Sequence, residues 1–149
     1  MRVVLQRVSR ASVRVRGELV SEIGRGFLLL VGVGAGDPAG EEARLARKIS
    51  TLRVFSDAEG KMNLALQEVD GEVLVVSQFT LYGDTRKGRR PSWTGAEEPA
   101  LAAARVESFA QELEGLGVPV RRGVFGADMQ VELLNDGPVT LVIDGADVP

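Results

Sequence analysis

Apolar and polar residues alternate through the first two dozen positions, "MRVVLQRVSRASVRVRGELVSEIG", with Val13 and Val15 on a common face. A period of two predicts half-buried strands, and Gly17 marks a hairpin turn that returns the chain through "ELVSEI". "GFLLLVGV" is short and wholly apolar, the pattern of a buried strand, and it runs into the loop "GVGAGDP". Asp37 and Pro38 predict a helix N-cap and first-turn proline. Helical spacing follows, with Leu45, Ile49 and Leu52 on one face. "RVFSDAEGKMN" reads as strand, turn and strand with Gly60 in the turn, and "EVLVVSQFTLY" as another buried strand. A second helix is predicted from about Pro99 to Glu114, carrying Ala102, Val106, Phe109 and Leu113 at helical spacing, and "GLGVP" stops it. The tail "MQVELLNDGPVTLVI" predicts two strands joined at "NDGP". They are apolar on both faces, which predicts cover on both sides from a second sheet or a second subunit.

No internal repeat, low-complexity stretch or interdomain linker breaks this order. It predicts an α/β fold in a single domain, residues 1–149. Mixed, mostly antiparallel sheets lie in β/β/α layers, with two main helices on one side. A chain of 149 residues buries a real core without staples.

Composition narrows the chemistry. The chain has no histidine and no cysteine, so thiol and imidazole catalysis and zinc sites built on those ligands are excluded. The absence of cysteine is compatible with a cytosolic home, and no window approaches a membrane span of ~18 apolar residues. Net charge is −3, so any contact with nucleic acid must be local. The charge is uneven: "DTRKGRR", residues 84–90, holds four cations and one anion.

That cluster follows the most distinctive stretch, "SQFTLYGDTRKGRRPSW". On a continuing strand Ser77 and Phe79 would face one way, Gln78 and Thr80 the other. A hydroxyl nucleophile needs a base; no histidine is available, and the nearest lysine, Lys87, lies across the loop. Backbone N–H groups at the strand end are better placed to stabilise an oxyanion. Arg86, Lys87, Arg89 and Arg90 offer phosphate contacts, Gly88 allows close approach, and Trp93 offers a stacking surface. In "NDGPVT" a proline directly after a turn raises the question of a cis bond at Pro138, which the sequence leaves open. "GVGAGDP" departs from a dinucleotide fingerprint, and "SDAEGKMN" has too few carboxylates for a calcium loop.

Taken together, "QRVSRASVRV", "FSDAEGKMN", "VVSQFTLYGDTRKGRRPSW" and "FGADMQVELLNDGPVT" resemble the D-aminoacyl-tRNA deacylase (D-tyrosyl-tRNA deacylase) family over nearly the whole chain. Trp93 stands where phenylalanine is usual, and "GADVP" extends past the matching region. The resemblance implies a cytoplasmic homodimer that hydrolyses the ester between a D-amino acid and the terminal adenosine of tRNA, with no cofactor, metal, DNA or membrane. It implies that Ser77, Gln78, Phe79 and Thr80 line the pocket around the ester. Gly137 and Pro138 correspond to a cis peptide inserted into the partner's site as a chirality filter. Phe125 and Met129 match residues of the adenine pocket. Such mechanisms are substrate-assisted, the terminal ribose hydroxyl helping to activate water. A filter made of backbone would tolerate many D-side chains and leave glycyl-tRNA as a leaky substrate. Two other readings stay open on the residues alone: a non-catalytic RNA-binding module using "TRKGRR" and Trp93, and a hydrolase of small esters with Thr80 as nucleophile.

Overall fold

The computed structural model describes all 149 residues. Its central sheet has the order β2-β1-β3-β6-β7, with β8 paired to the other edge of β1. The strands are β1 (Arg2–Val15), β2 (Glu18–Ile23), β3 (Gly26–Gly32), β6 (Glu72–Ser77), β7 (Val120–Arg122) and β8 (Met129–Asp144). β4 (Phe55–Ser56) and β5 (Met62–Leu64) form a separate hairpin. The helices are α1 (Glu41–Ser50) and α2 (Pro99–Gly115).

The predicted hairpin at Gly17 is present. Arg16 and Gly17 both have positive φ, 52° and 80°, as a two-residue turn between right-twisted strands requires. β1 is too long to stay in one layer. Its first half pairs with β3 and sends Val3 and Leu5 toward the helices; its second half pairs with β2 and sends Val8, Ala11 and Val13 to the opposite side. Irregular register against β8 around Val8 accompanies the change of face. The sheet therefore folds over itself and makes two cores. Phe27, Leu29, Val73 and Val75 pack with Leu45, Ile49, Phe109 and Leu113 of the helices, and Phe27 stacks on Phe55 at 5.1 Å. Leu28, Leu74 and Val76 pack with the second half of β1. The predicted β/β/α layering and single mixed system are what is found.

Two expectations change. α1 starts at Glu41 with Gly40 as its N-cap, and not at Asp37–Pro38. Asp37 turns inward instead, accepting from the Gly34 N–H at 2.6 Å and pairing with the Met1 ammonium at 2.6 Å. The tail is one strand interrupted by a bulge, and not two strands joined by a hairpin. Asn135 pairs with Val8 and Thr140 with Gln6, so residues 136–139 loop out opposite Arg7 while pairing resumes beyond them. β1 is long enough to template both halves, so the turn signal in "NDGP" is used for an excursion. Within one chain β8 is covered on one face, and Leu134 and Val142 are 51% and 70% exposed on the other.

Candidate active site

β6 lies parallel to β3 with Ser77 beside Val31, and there the strand ends. Gln78 donates its N–H to the Val31 carbonyl at 2.8 Å, and the chain then winds into a 3-10 turn, Phe79–Tyr82. Strand alternation therefore stops at Ser77, which corrects the expected facing of Gln78 and Thr80. Leu81 N–H donates to Gln78 and Gly83 N–H to the Thr80 carbonyl. The amides of Phe79 and Thr80 have no partner in the chain, as expected of the first donors of a helical turn. The Thr80 hydroxyl accepts a hydrogen bond from the Gln78 side-chain amide. No titratable group is bonded to it, so nothing here activates Thr80 as a nucleophile.

Beside the turn is a largely apolar cavity of about 390 Å³, walled by Ser77, Phe79, Trp93, Ala96, Phe125 and Gly126 among others. Phe79 and Trp93 meet edge to face at 5.2 Å. Both rings are exposed, an arrangement that leaves aromatic surface for a planar guest. A smaller space of about 140 Å³ behind Ser77 and Phe125 reaches Glu107 and Arg122. Met129 is not part of the wall. Its Sδ accepts from the Val124 N–H at 3.3 Å and fills the space left open at Gly123, so it supports the turn that carries Phe125.

The basic loop leaves from the same wall. Asp84 and Ser92 close its neck through reciprocal backbone bonds of 2.8 and 2.9 Å. Arg86 forks onto Asp84 at 2.9 and 2.7 Å, which holds the Asp84 carboxyl below its usual range. Its charge is thereby largely neutralised. Lys87, Arg89 and Arg90 are exposed and have no carboxylate partner, so they carry the loop's free positive charge.

The Gly137–Pro138 bond is cis. The bulge around it is held from below by Arg7, a nearly buried arginine that donates to the Asp136 carbonyl at 2.8 Å and to the Val54 carbonyl. Asn135 closes the neck, accepting from the Val139 N–H at 2.9 Å and donating to Thr140 Oγ1 at 2.8 Å. Gly137 has φ 140°, and a Cβ there would stand 2.8 Å from Val139 Cγ2 and 2.9 Å from Arg7 Nη2. Arg7 pairs with Phe27 while Ser77 pairs with Val31. That offset of four positions along β3 is roughly 13 Å. A single chain thus gathers Ser77–Thr80, Phe125 and the basic loop, but leaves Gly137–Pro138 elsewhere. Arg7 was missed in the sequence, although it shares parity with the buried Val3 and Leu5, and an arginine on an apolar face is a legible signal.

The profile of the D-Tyr-tRNA(Tyr) deacylase family matches residues 4–144. The chain is 60% identical over 148 residues to the D-aminoacyl-tRNA deacylase of Chloroflexus aurantiacus, covering 99% of this chain and 92% of that one. It is 57% identical over 146 residues to the D-aminoacyl-tRNA deacylase of Roseiflexus castenholzii, covering 98% and 93%. Among solved structures, the c-Myc DNA Unwinding Element Binding Protein superposes with TM-score 0.90 at 41% identity, covering 97% and 98%. A probable eukaryotic D-amino acid tRNA deacylase superposes with TM-score 0.77 at 21% identity, covering 95% and 97%, a likeness of fold.

Proposed function

The chain belongs to the D-Tyr-tRNA(Tyr) deacylase family and is an enzyme that hydrolyses D-aminoacyl-tRNA, and we propose that it does so by substrate-assisted catalysis on a backbone oxyanion hole. The observation that carries this reading is the pair of unpartnered amides at Phe79 and Thr80, set beside an apolar cavity of nucleoside size. Water, helped by the neighbouring hydroxyl of the terminal ribose, attacks the ester carbonyl. The two amides hold the negative oxygen, the bond to the ribose oxygen breaks, and that oxygen takes a proton. The products are a free D-amino acid and tRNA with both hydroxyls restored. No histidine is needed. Removing one such donor typically costs ~10²–10³ in rate.

Thr80 and Gln78 position the turn through their mutual hydrogen bond. Phe125 walls the cavity for the terminal adenine, and Met129 braces it. Lys87, Arg89 and Arg90 contact tRNA phosphates, with Arg86 shaping the loop. The c-Myc DNA Unwinding Element Binding Protein is another protein; here the loop's free charge is assigned to the acceptor end of tRNA.

The Gly137–Pro138 bulge completes the site of a second copy of the chain, because it lies away from its own Ser77. A homodimer also covers the exposed apolar side chains of β8. Carbonyls of the bulge aimed at the α-carbon admit the D configuration and clash with an L side chain. Glycine has nothing to clash, so glycyl-tRNA is cleaved as well. The enzyme works in the cytoplasm, where aminoacyl-tRNA is used; no helix is long and apolar enough to cross a membrane.

The test is hydrolysis of D-tyrosyl-tRNA against L-tyrosyl-tRNA by the purified protein. Loss of the D ester alone is expected. Cleavage of both removes the chirality filter from this account, and binding without cleavage makes the protein an RNA-binding module.

A further inference from the structure

We propose that Arg2 and Tyr82 are positioning residues for the hydrolysis, clamping the 79–82 turn so that the Phe79 and Thr80 amides stay aimed at the reacting carbonyl. The inference rests on the reading of those amides as oxyanion donors. A four-residue turn with no buried side chain has little stability of its own. Its entry is fixed by the Gln78–Val31 backbone bond. Its exit is fixed by Arg2, whose Nη1 donates to the Leu81 carbonyl at 2.9 Å.

Arg2 is itself held. Its Nε and Nη2 both donate to Asp144 Oδ2, at 3.3 and 3.1 Å, and its guanidinium lies over the Tyr82 ring at 5.1 Å. All three of its nitrogens are therefore committed, two to the end of β8 and one to the turn. The Tyr82 ring in turn rests on the end of β3 and the loop after it. A Cβ at Gly34 would stand 2.5 Å from Tyr82 Cε1, and one at Gly32 would stand 3.2 Å from Cδ2. The glycines of "GVG", which bind no cofactor in the sequence reading, make room for this ring. The Tyr82 hydroxyl reaches Asp37 Oδ2 at 3.4 Å. Neither Arg2 nor Tyr82 lines the cavity, so both act through the turn.

The experiment compares Arg2→Met, Arg2→Lys and Tyr82→Leu with the unaltered full chain. It measures kcat and KM on D-tyrosyl-tRNA and, separately, the emission of Trp93. That residue is the only tryptophan and touches Phe79 of the turn, so it reports the turn without any turnover. Arg2→Met is expected to lower kcat by about ten- to a hundredfold with KM nearly unchanged, the cost of a misaimed catalytic group, and to shift Trp93 emission. Arg2→Lys recovers part of both, because an ammonium can serve Leu81 but cannot fork onto Asp144 as well. A folded Arg2→Met protein with unchanged kcat and unchanged emission overturns the clamp. If Arg2→Met does not fold, Arg2→Lys and Tyr82→Leu decide by the same two readouts. A lower melting temperature with kcat intact also overturns it, since that marks a merely structural pair. If the unaltered chain fails to hydrolyse the ester, the oxyanion reading falls, while the emission of the variants still judges the clamp.

Discussion

Arg7 Nε donates to the Asp136 carbonyl at 2.8 Å, so an arginine in the first strand holds the neck of a bulge in the last. The same guanidinium bonds the Val54 carbonyl. A nearly buried cation is thus satisfied by main-chain oxygens, and those oxygens are satisfied by it.

Arg7→Met should therefore free the bulge. Losing the two part-buried hydrogen bonds removes about 0.5–1.5 kcal/mol each, so a lower denaturation midpoint is expected in urea. If the bulge is the chirality filter, the variant also begins to cleave L-tyrosyl-tRNA. Gly137→Ala should act in the same direction, because its Cβ meets Arg7 and Val139 at a positive φ.

Phe79→Pro removes one proposed oxyanion donor while suiting the local backbone. The preceding Gln78 is at φ −145°, ψ 77°, outside the α region that proline disfavours before it, and the first position of a helical turn accepts proline. The expected loss in kcat is ~10²–10³. Thr80→Ala keeps its amide and should retain most activity. The opposite ranking in single-turnover assays would make the Thr80 hydroxyl the reacting group.

Replacing Lys87, Arg89 and Arg90 together by glutamine should weaken tRNA binding and flatten its salt dependence. Each lost phosphate contact to a single strand removes about 0.7 from the slope of log K against log salt. Three lost contacts remove roughly 2, read from binding titrations at several salt concentrations. Arg86→Gln should change the slope less, since Asp84 already neutralises Arg86.

Acid should destabilise the helix pair. Burial pushes the Glu42 carboxyl up, but the Arg105 hydrogen bond, a backbone hydrogen bond and the charges of Arg105 and the N-terminus together outweigh it and hold the group below its ordinary 4.5. A group whose folded value is depressed contributes stability above its unfolded value and loses it as pH falls through the folded one. The contribution is therefore complete at neutral pH and declines below about 4.5. Chemical denaturation of Glu42→Gln from pH 7 downward should show a shallower acid decline than the unaltered chain.

Elements with strong local signals were legible. The helix from Pro99, the hairpin at Gly17 and the buried strands at residues 26 and 72 all follow from periodicity and turn residues. Ser77–Thr80 and the basic loop stood out because polar and cationic residues follow an apolar run directly. Met129 carried less information than its motif implied, since bracing a turn and lining a pocket leave the same residue in the sequence. Asp37–Pro38 misled because a short polar side chain before proline suits an N-cap, whereas the Gly34 amide and the Met1 ammonium compete for the same carboxylate.

The sequence by itself determined the two helices, the main strands and the chemistry ruled out by the lack of histidine and cysteine. These depend on neighbours along the chain or on composition, so they are written locally. Only the tertiary structure decided that "NDGP" is a bulge, that β6 stops at Ser77, and that Arg7 and Arg2 donate to the Asp136 and Leu81 carbonyls. Each depends on a partner far away in the chain: β1 templating both halves of β8, β3 ending beside Ser77, and carbonyls at Asp136 and Leu81 needing donors. Hydrogen bonds between residues 79 and 129 positions apart leave no periodicity, and only folding brings their ends together.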